Sequence, residues 1–253
     1  MKRIWIFFLI GPLAACLPVV TPTLEPTASQ TITPTSSPTV EWFPPTPTVE
    51  ITPTVEISPT PEIMAELGEI IFKDDFESDE GWTVPRSDRG EINISNGEIN
   101  IIINEPGSFF VGTLEKPDLQ DFYAEISASP ILCSPQDEYG FLFRVFSRNQ
   151  YYRFSLNCDG QVRLDSFSGE IGTILYPWTR SASVPVGAPS ISTIAILAVD
   201  DQIHVFINGD PQLTVTDRQL QVGSFGVYAR SVGDTAVTIS FSDLIVREVL
   251  PKE

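Results

Sequence analysis

The stretch YGFLFRVFSRNQYYRFSLNCDGQVRLDSF, residues 139–167, decides the fold of this chain. Three short runs of alternating apolar and polar residues lie within it, separated by SRNQ and by NCDG. Alternation with a period of two is typical of β-strands that bury one face, and Asn and Gly mark the turns between them. The stretch therefore predicts three consecutive antiparallel strands joined by tight hairpins.

The alternation also predicts the register of both hairpins. A three-residue loop at Cys158–Gly160, with Gly160 in the left-handed conformation, keeps the apolar residues of both strands on one face. A two-residue Asp-Gly turn would swap the two faces, so the pattern disfavours it. The predicted partners are Val145–Tyr152, Phe143–Phe154 and Phe141–Leu156 in the first hairpin, and Leu156–Val162 and Phe154–Leu164 in the second.

The opposite face of these strands mixes charged and aromatic side chains, and we expect function there. Arg144 is predicted to lie opposite Arg153, a like-charge pair that is destabilising unless an acceptor relieves it. Asp165, on the other side of Arg153, is one such acceptor. Aromatic faces stack on sugar C–H groups while charged groups hold hydroxyls. Arg144, Tyr151, Arg153 and Asp165 are therefore candidate ligand-binding residues, and a satisfied packing network is the alternative.

Composition narrows the classes of partner. The 253 residues carry a formal net charge of −18 at pH 7, which would repel nucleic acid and anionic lipid. The one histidine of the chain, His204, alternates with apolar residues on a predicted strand and lacks the context of a catalytic triad. A structural or surface role is expected for it.

The N-terminus has the form of an export signal. Lys2 and Arg3 precede the apolar run IWIFFLIGPLAA, which is too short to span a membrane as a helix. The sequence LAAC at 13–16 resembles the bacterial lipoprotein signal box, in which the cysteine receives the lipid. We expect lipidation of Cys16 and extracytoplasmic display on a bacterial membrane; the alternative is an ordinary signal peptide with a chance cysteine.

A Thr- and Pro-rich segment follows the signal. It contains no Lys or Arg between Arg3 and Lys73, and it cannot bury enough apolar area to offset its conformational entropy. We expect an extended, disordered stalk reaching about 3.1 Å per residue. The predicted organisation is a signal peptide at 1–15, lipidated cysteine and linker at 16–65, one β domain at 66–249 and a tail at 250–253, in a monomer.

The remaining cysteines form an even pair. Once Cys16 carries lipid, Cys133 and Cys158 are left in an oxidising compartment, where a disulfide is expected. Two free buried thiols are the alternative. Two cysteines at this spacing with a single histidine make a poor zinc site.

Strand patterns also dominate the rest of the domain. Asn96-Gly97 predicts a hairpin that pairs Ile94 with Ile99, and Asp200-Asp201 predicts another. About a dozen strands in succession predict an all-β jelly-roll sandwich of two antiparallel sheets, with a barrel as the alternative. Trp178 lies in the loop-like LYPWT, residues 175–179, and is a further stacking candidate.

Several motifs recur in an order that resembles a known group. They are DDFESDEGW at 74–82, the stretch at 139–164, IHVFING at 203–209, and VGSFGVYARS with VTISFSDLIV at 222–246. They resemble the concanavalin A-like lectin/glucanase superfamily, near its laminin-G-like and 3-keto-disaccharide hydrolase-like domains. The resemblance implies two packed sheets, one concave, and carbohydrate as the commonest class of ligand.

A catalytic signature is not evident in the sequence. Retaining family-16 glycoside hydrolases of this fold use two carboxylates about 5 Å apart, supplied as Glu-x-Asp-x-x-Glu on one strand. The nearest match, ESDE at 77–80, lies in the opening turn and lacks the final Glu. We therefore expect no catalytic residues and a surface-anchored, non-catalytic glycan-binding lipoprotein. A carbohydrate-active enzyme with unrecognised carboxylates and a structural or protein-binding envelope module are the alternatives.

The sequence offers candidate ligands for a calcium ion. Asp74, Asp75 and Asp243 would supply hard oxygen ligands for a structural Ca²⁺ ion where the first and last strands meet. Exposed carboxylates without a metal are the alternative, and no other cofactor is expected.

Overall fold

The computed structural model describes residues 65–251 of the chain. The predicted signal peptide, Cys16 and nearly all of the linker lie outside these residues. Within them no helix is long and apolar enough to cross a membrane. The described strands are β1 (Ala65–Asp74), β2 (Trp82–Thr83), β3 (Arg86–Ser87), β4 (Gly90–Ser95), β5 (Glu98–Ile103), β6 (Phe109–Leu114), β7 (Phe122–Leu132), β8 (Glu138–Ser147), β9 (Gln150–Asn157), β10 (Gln161–Ser168), β11 (Ile171–Arg180), β12 (Ser192–Val199), β13 (Gln202–Ile207), β14 (Asp210–Thr216), β15 (Ser224–Arg230) and β16 (Val237–Pro251).

The strands form two antiparallel sheets. One has nine strands in the order β14-β13-β12-β7-β16-β5-β4-β3, with β1 paired to β16. The other has seven strands in the order β11-β10-β9-β8-β15-β6-β2. The predicted all-β sandwich of two antiparallel sheets is confirmed, and the barrel alternative is wrong.

The inward faces of the two sheets share one hydrophobic core. Alternation places every second residue of strands such as β5, β6, β7 and β13 in it, as expected for strands that bury one face. The Asn96-Gly97 hairpin pairs Ile94 with Ile99, as predicted. The fully buried residues of the β12–β13 hairpin are Ile194, Ile196, Ala198, Ile203, Val205 and Ile207.

A disulfide ties the two sheets together. Cys133, directly after β7 of the nine-stranded sheet, bonds to Cys158 in the loop between β9 and β10 of the seven-stranded sheet. Their Cα atoms are 6.4 Å apart. The predicted pairing is confirmed, and it fastens the hairpin that carries the candidate site to the opposite sheet.

Candidate functional site

The strands β8, β9 and β10 form the predicted meander, and its second hairpin has the predicted register. Leu156 pairs with Val162 and Phe154 with Leu164. Gly160 has a φ of 78°, as the three-residue loop requires. Arg153 and Asp165 are therefore direct cross-strand partners.

The first hairpin is shifted from its predicted register. Phe143 pairs with Tyr152 and Phe141 with Phe154, two residues away from the prediction, and the ladder is irregular between Phe143 and Ser147. The pairing of β8 with β15 is irregular at the same point. A β-bulge in β8 causes both irregularities, because one extra residue against β15 and two against β9 interrupt the alternation of faces.

Arg144 is the bulged residue, and its predicted position is wrong. Its φ is 47°, a left-handed conformation that costs a non-glycine residue about 1 kcal/mol. Gly223 packs against the bulge so closely that a Cβ there would lie 2.4 Å from the carbonyl carbon of Arg144. After the bulge the faces exchange, so Val145 packs with Leu142 and Tyr151 instead of entering the main core.

The side chain of Arg144 is fully buried and binds three backbone carbonyls. It donates to Gln120 O at 2.9 Å, to Asp200 O at 2.8 Å and to Leu220 O at 3.1 Å. Burial lowers the pKa of this guanidinium. Arg144 thus holds three loops together and is not available to a ligand, and the residue opposite Arg153 is Leu142.

The side of the seven-stranded sheet that points away from the core is called the outer face here. Outside the bulge, its residues alternate along β6, β8, β9, β10 and β15 with those of the main core. The ones used below are Phe109 on β6, Leu142 on β8, Tyr151 and Arg153 on β9, Arg163, Asp165 and Phe167 on β10, Trp178 on β11 and Tyr228 on β15.

Asp165 lies at the centre of an ion-pair network on the outer face. One carboxylate oxygen accepts from Arg163 at 2.7 Å, and the other accepts from Arg153 at 3.2 Å. The Asp165 side chain is 2% exposed, whereas that of Arg163 is 26% exposed. The packing network given as the alternative is therefore present, and it fixes the orientation of two guanidinium groups, of which that of Arg163 is the more exposed.

Aromatic rings flank these guanidinium groups. The Arg153 guanidinium lies 4.6 Å from the centroid of Phe167 and 5.2 Å from that of Tyr228. The ring of Tyr151 packs against that of Phe167 in a tilted arrangement, with the centroids 4.9 Å apart. Burial opposes the charge of Arg153, but the neighbouring oxygens of Tyr228 and Asp165 outweigh it and raise its pKa. Rings and charges thus form one continuous row.

Both ends of this row are accessible. Phe109, 42% exposed, contacts Tyr228 with a centroid distance of 5.6 Å. At the other end Trp178 is half-buried, and the Arg163 guanidinium lies 5.9 Å from its ring centroid. Trp178 belongs to β11 and not to a loop as predicted, because β11 is an edge strand and tolerates the adjacent proline.

The predicted site residues are therefore only partly brought together. Tyr151, Arg153, Asp165 and Trp178 share the outer face, and Arg144 does not. Sequence reasoning missed Phe109 and Tyr228 as part of the site. The FF pair at 109–110 exposes one ring and buries the other, but the position of β6 and β15 beside β8 depends on sheet order, which local patterns do not give.

Carboxylates on this face are engaged by arginine. In the described strands of the seven-stranded sheet, the outward carboxylates are Asp165, which contacts two arginines, and Glu138, 3.7 Å from Arg230. A glycosidase needs one free carboxylate and one protonated carboxyl group flanking the bond.

The three candidate calcium ligands do not form a cluster. Asp74 accepts hydrogen bonds from Phe76 N at 2.8 Å and from Trp82 Nε1 at 2.7 Å. Both its carboxylate oxygens therefore stabilise the opening turn. Asp243 accepts from Ser242 Oγ. Between residues 65 and 251 no group of three or more His, Cys, Asp or Glu side chains is arranged to hold a metal ion. Calcium at Asp74, Asp75 and Asp243 stays a prediction.

Comparison with known proteins identifies the fold. No protein-family model matches the chain, and neither does any curated protein. Solved structures do match it. The Bacillus subtilis protein of unknown function with a galectin-like fold has 14% identity and a TM-score of 0.56, over 74% of this chain and 99% of that one.

Two glucan-related structures are similar to the chain as well. The laminarinase from Flavobacterium sp. UMI-01 has 14% identity and a TM-score of 0.52, over 71% of this chain and 100% of that one. The Bacteroides ovatus mixed linkage glucan GH16 protein, in complex with a G4G4G3G product, has 12% identity and a TM-score of 0.52, over 72% and 100%. The described domain has the concanavalin A-like jelly-roll fold, so the fold implied by the resemblance is confirmed.

Proposed function

We propose that the domain binds a glycan on its outer face without cleaving it. The supporting observation is the row of aromatic rings and guanidinium groups that ends in the accessible Phe109 and Trp178. Sugars present C–H faces to aromatic rings and hydroxyls to charged donors, so such a row matches their chemistry. The buried Asp165 keeps the two guanidinium groups ordered before binding, which reduces the entropy that a ligand must offset.

The spacing of the row favours a polymer over a single sugar. Phe109 and Trp178 lie on β6 and β11, which are separated by five strand-to-strand intervals. At about 4.8 Å for each interval, the two rings are about 24 Å apart across the sheet. A ligand that contacts both rings is therefore an extended chain of several sugar units that crosses the strands.

Two assays test this proposal. A glycan array identifies the bound glycan, and electrophoresis in the presence of the soluble polysaccharide measures its Kd. Phe109→Ala and Trp178→Ala are expected to raise the Kd for the bound polysaccharide about tenfold each. Phe206→Ala is the matched control, since Phe206 is a half-buried aromatic residue on the outward side of β13 in the other sheet. Equal loss of binding in the control and the site variants would contradict the assignment.

The alternative classes give different outcomes in the same experiment. Turnover of any oligosaccharide by the wild-type domain would favour the enzyme, with the similar glucanases as the analogy. No binding to any glycan on the array would favour a structural or protein-binding module. The paired state of Asp165 and Glu138 argues against the enzyme.

We further propose that the domain is displayed on a lipid-anchored stalk. The proposal rests on the LAAC sequence ending in Cys16 and on the Thr- and Pro-rich segment that follows it. A lipidated cysteine provides membrane affinity through buried acyl chains. In a bacterial host fed labelled palmitate, Cys16→Ser should lose the label and Cys133→Ser should retain it. A label that persists in Cys16→Ser would exclude this anchor.

A further inference from the structure

A cleft of about 310 Å³ opens beside Phe109, outside the row described above. It lies between the start of β6 and the segment around β3, at the side of the outer face opposite to Trp178. A volume of this size is at the lower end of the range for small-molecule sites in proteins. The residues used below are Arg86, Arg89, Gly107, Ser108 and Phe109, all of which line the cleft.

The wall of the cleft has a buried hydroxyl at Ser108 without a hydrogen-bond partner among residues 65–251, and open space at Gly107. Ser108 is 5% exposed, and its Oγ has no hydrogen-bond partner within the described part of the chain. Buried hydroxyls in native structures normally have a partner, from protein or from a bound molecule. At Gly107 a Cβ would meet no atom within 4 Å, so the space above this residue is open.

Each of the two arginines that line the cleft pairs with a glutamate that lies outside the lining. Arg86 lies 3.6 Å from Glu91, and Arg89 lies 3.3 Å from Glu105. All four side chains are well exposed, and Arg86 and Arg89 present donors to the cleft. An acidic ligand would have to compete with two glutamates for these arginines, whereas the hydroxyls of a neutral ligand can accept hydrogen bonds from the arginines without displacing the glutamates.

The cleft also continues the row of the outer face. Phe109 belongs to both, because its ring contacts Tyr228 on one side and lines the cleft on the other. β2 pairs only with the far end of β6, at Thr113 and Leu114, so the cleft is the next feature that a chain meets after Phe109. A polymer crossing the strands from Trp178 would reach it last.

We infer that this cleft is an end subsite, which receives one neutral terminal sugar unit of the polysaccharide that crosses the outer face. The inference rests on the proposed function for the identity of the polymer. It assigns Phe109 as the stacking ring between the two parts of the site. It assigns Arg86, Arg89 and Ser108 as the groups that face sugar hydroxyls, with each arginine held by its glutamate.

Filling the cleft tests the inference. Gly107→Asn places a side chain in the open space, and Asn tolerates the φ of 75° found there better than most residues. Gly209→Asn is the matched control, since Gly209 has a φ of 84° and equally open space but lies in the β13–β14 turn. With laminari-oligosaccharides and mixed-linkage glucan oligosaccharides of two to eight units as calorimetry probes, Gly107→Asn is expected to raise the Kd of the longest ligands about tenfold. Gly209→Asn should leave it unchanged, and equal affinities for all three proteins would overturn the end subsite.

A second measurement separates the cleft from the outer face. Amide NMR shifts of Gly107 and Ser108 are recorded while methyl β-glucoside, methyl β-galactoside and glucuronate are added to the Trp178→Ala variant. Shifts with a neutral glycoside and smaller shifts with glucuronate support the neutral subsite, whether or not the polysaccharide binds. Shifts with neither glycoside, or larger shifts with glucuronate, would overturn it. If these shifts occur in Trp178→Ala but the wild-type protein binds none of the oligosaccharides, only the proposed polymer site would be overturned.

Discussion

Hairpins β8–β9 and β9–β10 share a strand, yet only one of them follows its sequence pattern to the end. Across β9–β10 seven consecutive residue pairs remain in register, so Arg153 faces Asp165. Across β8–β9 the ladder breaks after Phe143, and Arg144 leaves it. The same type of residue therefore has opposite roles on the two sides of β9: Arg144 binds loops inside the protein, and Arg153 shapes the surface.

The largest effect is expected from removal of the buried arginine. Arg144→Ala leaves the carbonyls of Gln120, Asp200 and Leu220 without their donor, and a buried acceptor without a partner is costly. We expect the free energy of unfolding to fall by about 3–5 kcal/mol. Equilibrium denaturation in urea measures this.

The control for this change lies in the same hairpin. Arg148 is exposed in the loop between β8 and β9, so Arg148→Ala removes the same charge without a buried hydrogen bond. Its effect should stay within about 0.5 kcal/mol. Similar losses in the two variants would mean that net charge, and not the loop contacts, determines the effect.

The same contacts explain why the bulge could not be predicted. The carbonyls that Arg144 binds are 24, 56 and 76 residues away in sequence, so no local pattern around position 144 reports them. The β9–β10 hairpin was predictable because its loop carries a glycine at the left-handed position and its strands alternate without interruption. Tyr228 and Phe109 became part of the site only through the order of strands in the sheet.

The second-largest effect is expected on the outer face. Asp165→Asn removes the charge that holds Arg153 and Arg163, and it leaves two partly buried cations close together. Because both arginines retain some contact with water, we expect a loss of about 1–3 kcal/mol, smaller than for Arg144.

An exposed ion pair provides the control for Asp165. Asp159 pairs with Arg180, and their side chains are 43% and 61% exposed. Asp159→Asn should therefore cost less than about 1 kcal/mol in the same urea titration. A loss for Asp165→Asn as small as this would mean that water already screens the network.

The loss of stability at alkaline pH allows the two regions to be compared, because each contains a buried tyrosine. Burial raises the pKa of Tyr228 on the outer face and also raises that of Tyr152, whose hydroxyl binds Asp217 near Arg144. The folded protein keeps these hydroxyls protonated at a pH where the unfolded chain, with a pKa near 10, releases the protons. Stability is therefore complete below about pH 10 and falls above it by about 1.4 kcal/mol per pH unit for each tyrosine.

Single variants separate the contributions of the two tyrosines. Denaturation midpoints between pH 9 and pH 12 should fall less steeply in Tyr228→Phe and in Tyr152→Phe than in the wild type. Phe109→Leu removes a ring that contacts Tyr228 but no ionisable group, so the wild-type slope is expected. If only Tyr152→Phe reduced the slope, Tyr228 would have to ionise in the folded state, and the outer face would be wetter than its burial indicates.

At Trp178 we expect a small effect on stability together with a clear effect on binding. Trp178 lies on an edge strand and makes one cation–π contact, with Arg163, so Trp178→Ala should cost less than about 1 kcal/mol. Ile174→Ala, on the same strand at a residue that is 55% exposed, is the control for loss of apolar area there. Thermal denaturation and glycan affinity measured on the same samples give the comparison, with Trp178→Ala reducing affinity and Ile174→Ala reducing neither quantity. A residue that affects binding without affecting stability is the counterpart of Arg144, and a large stability loss in Trp178→Ala would assign the tryptophan to the packing of the edge strand instead.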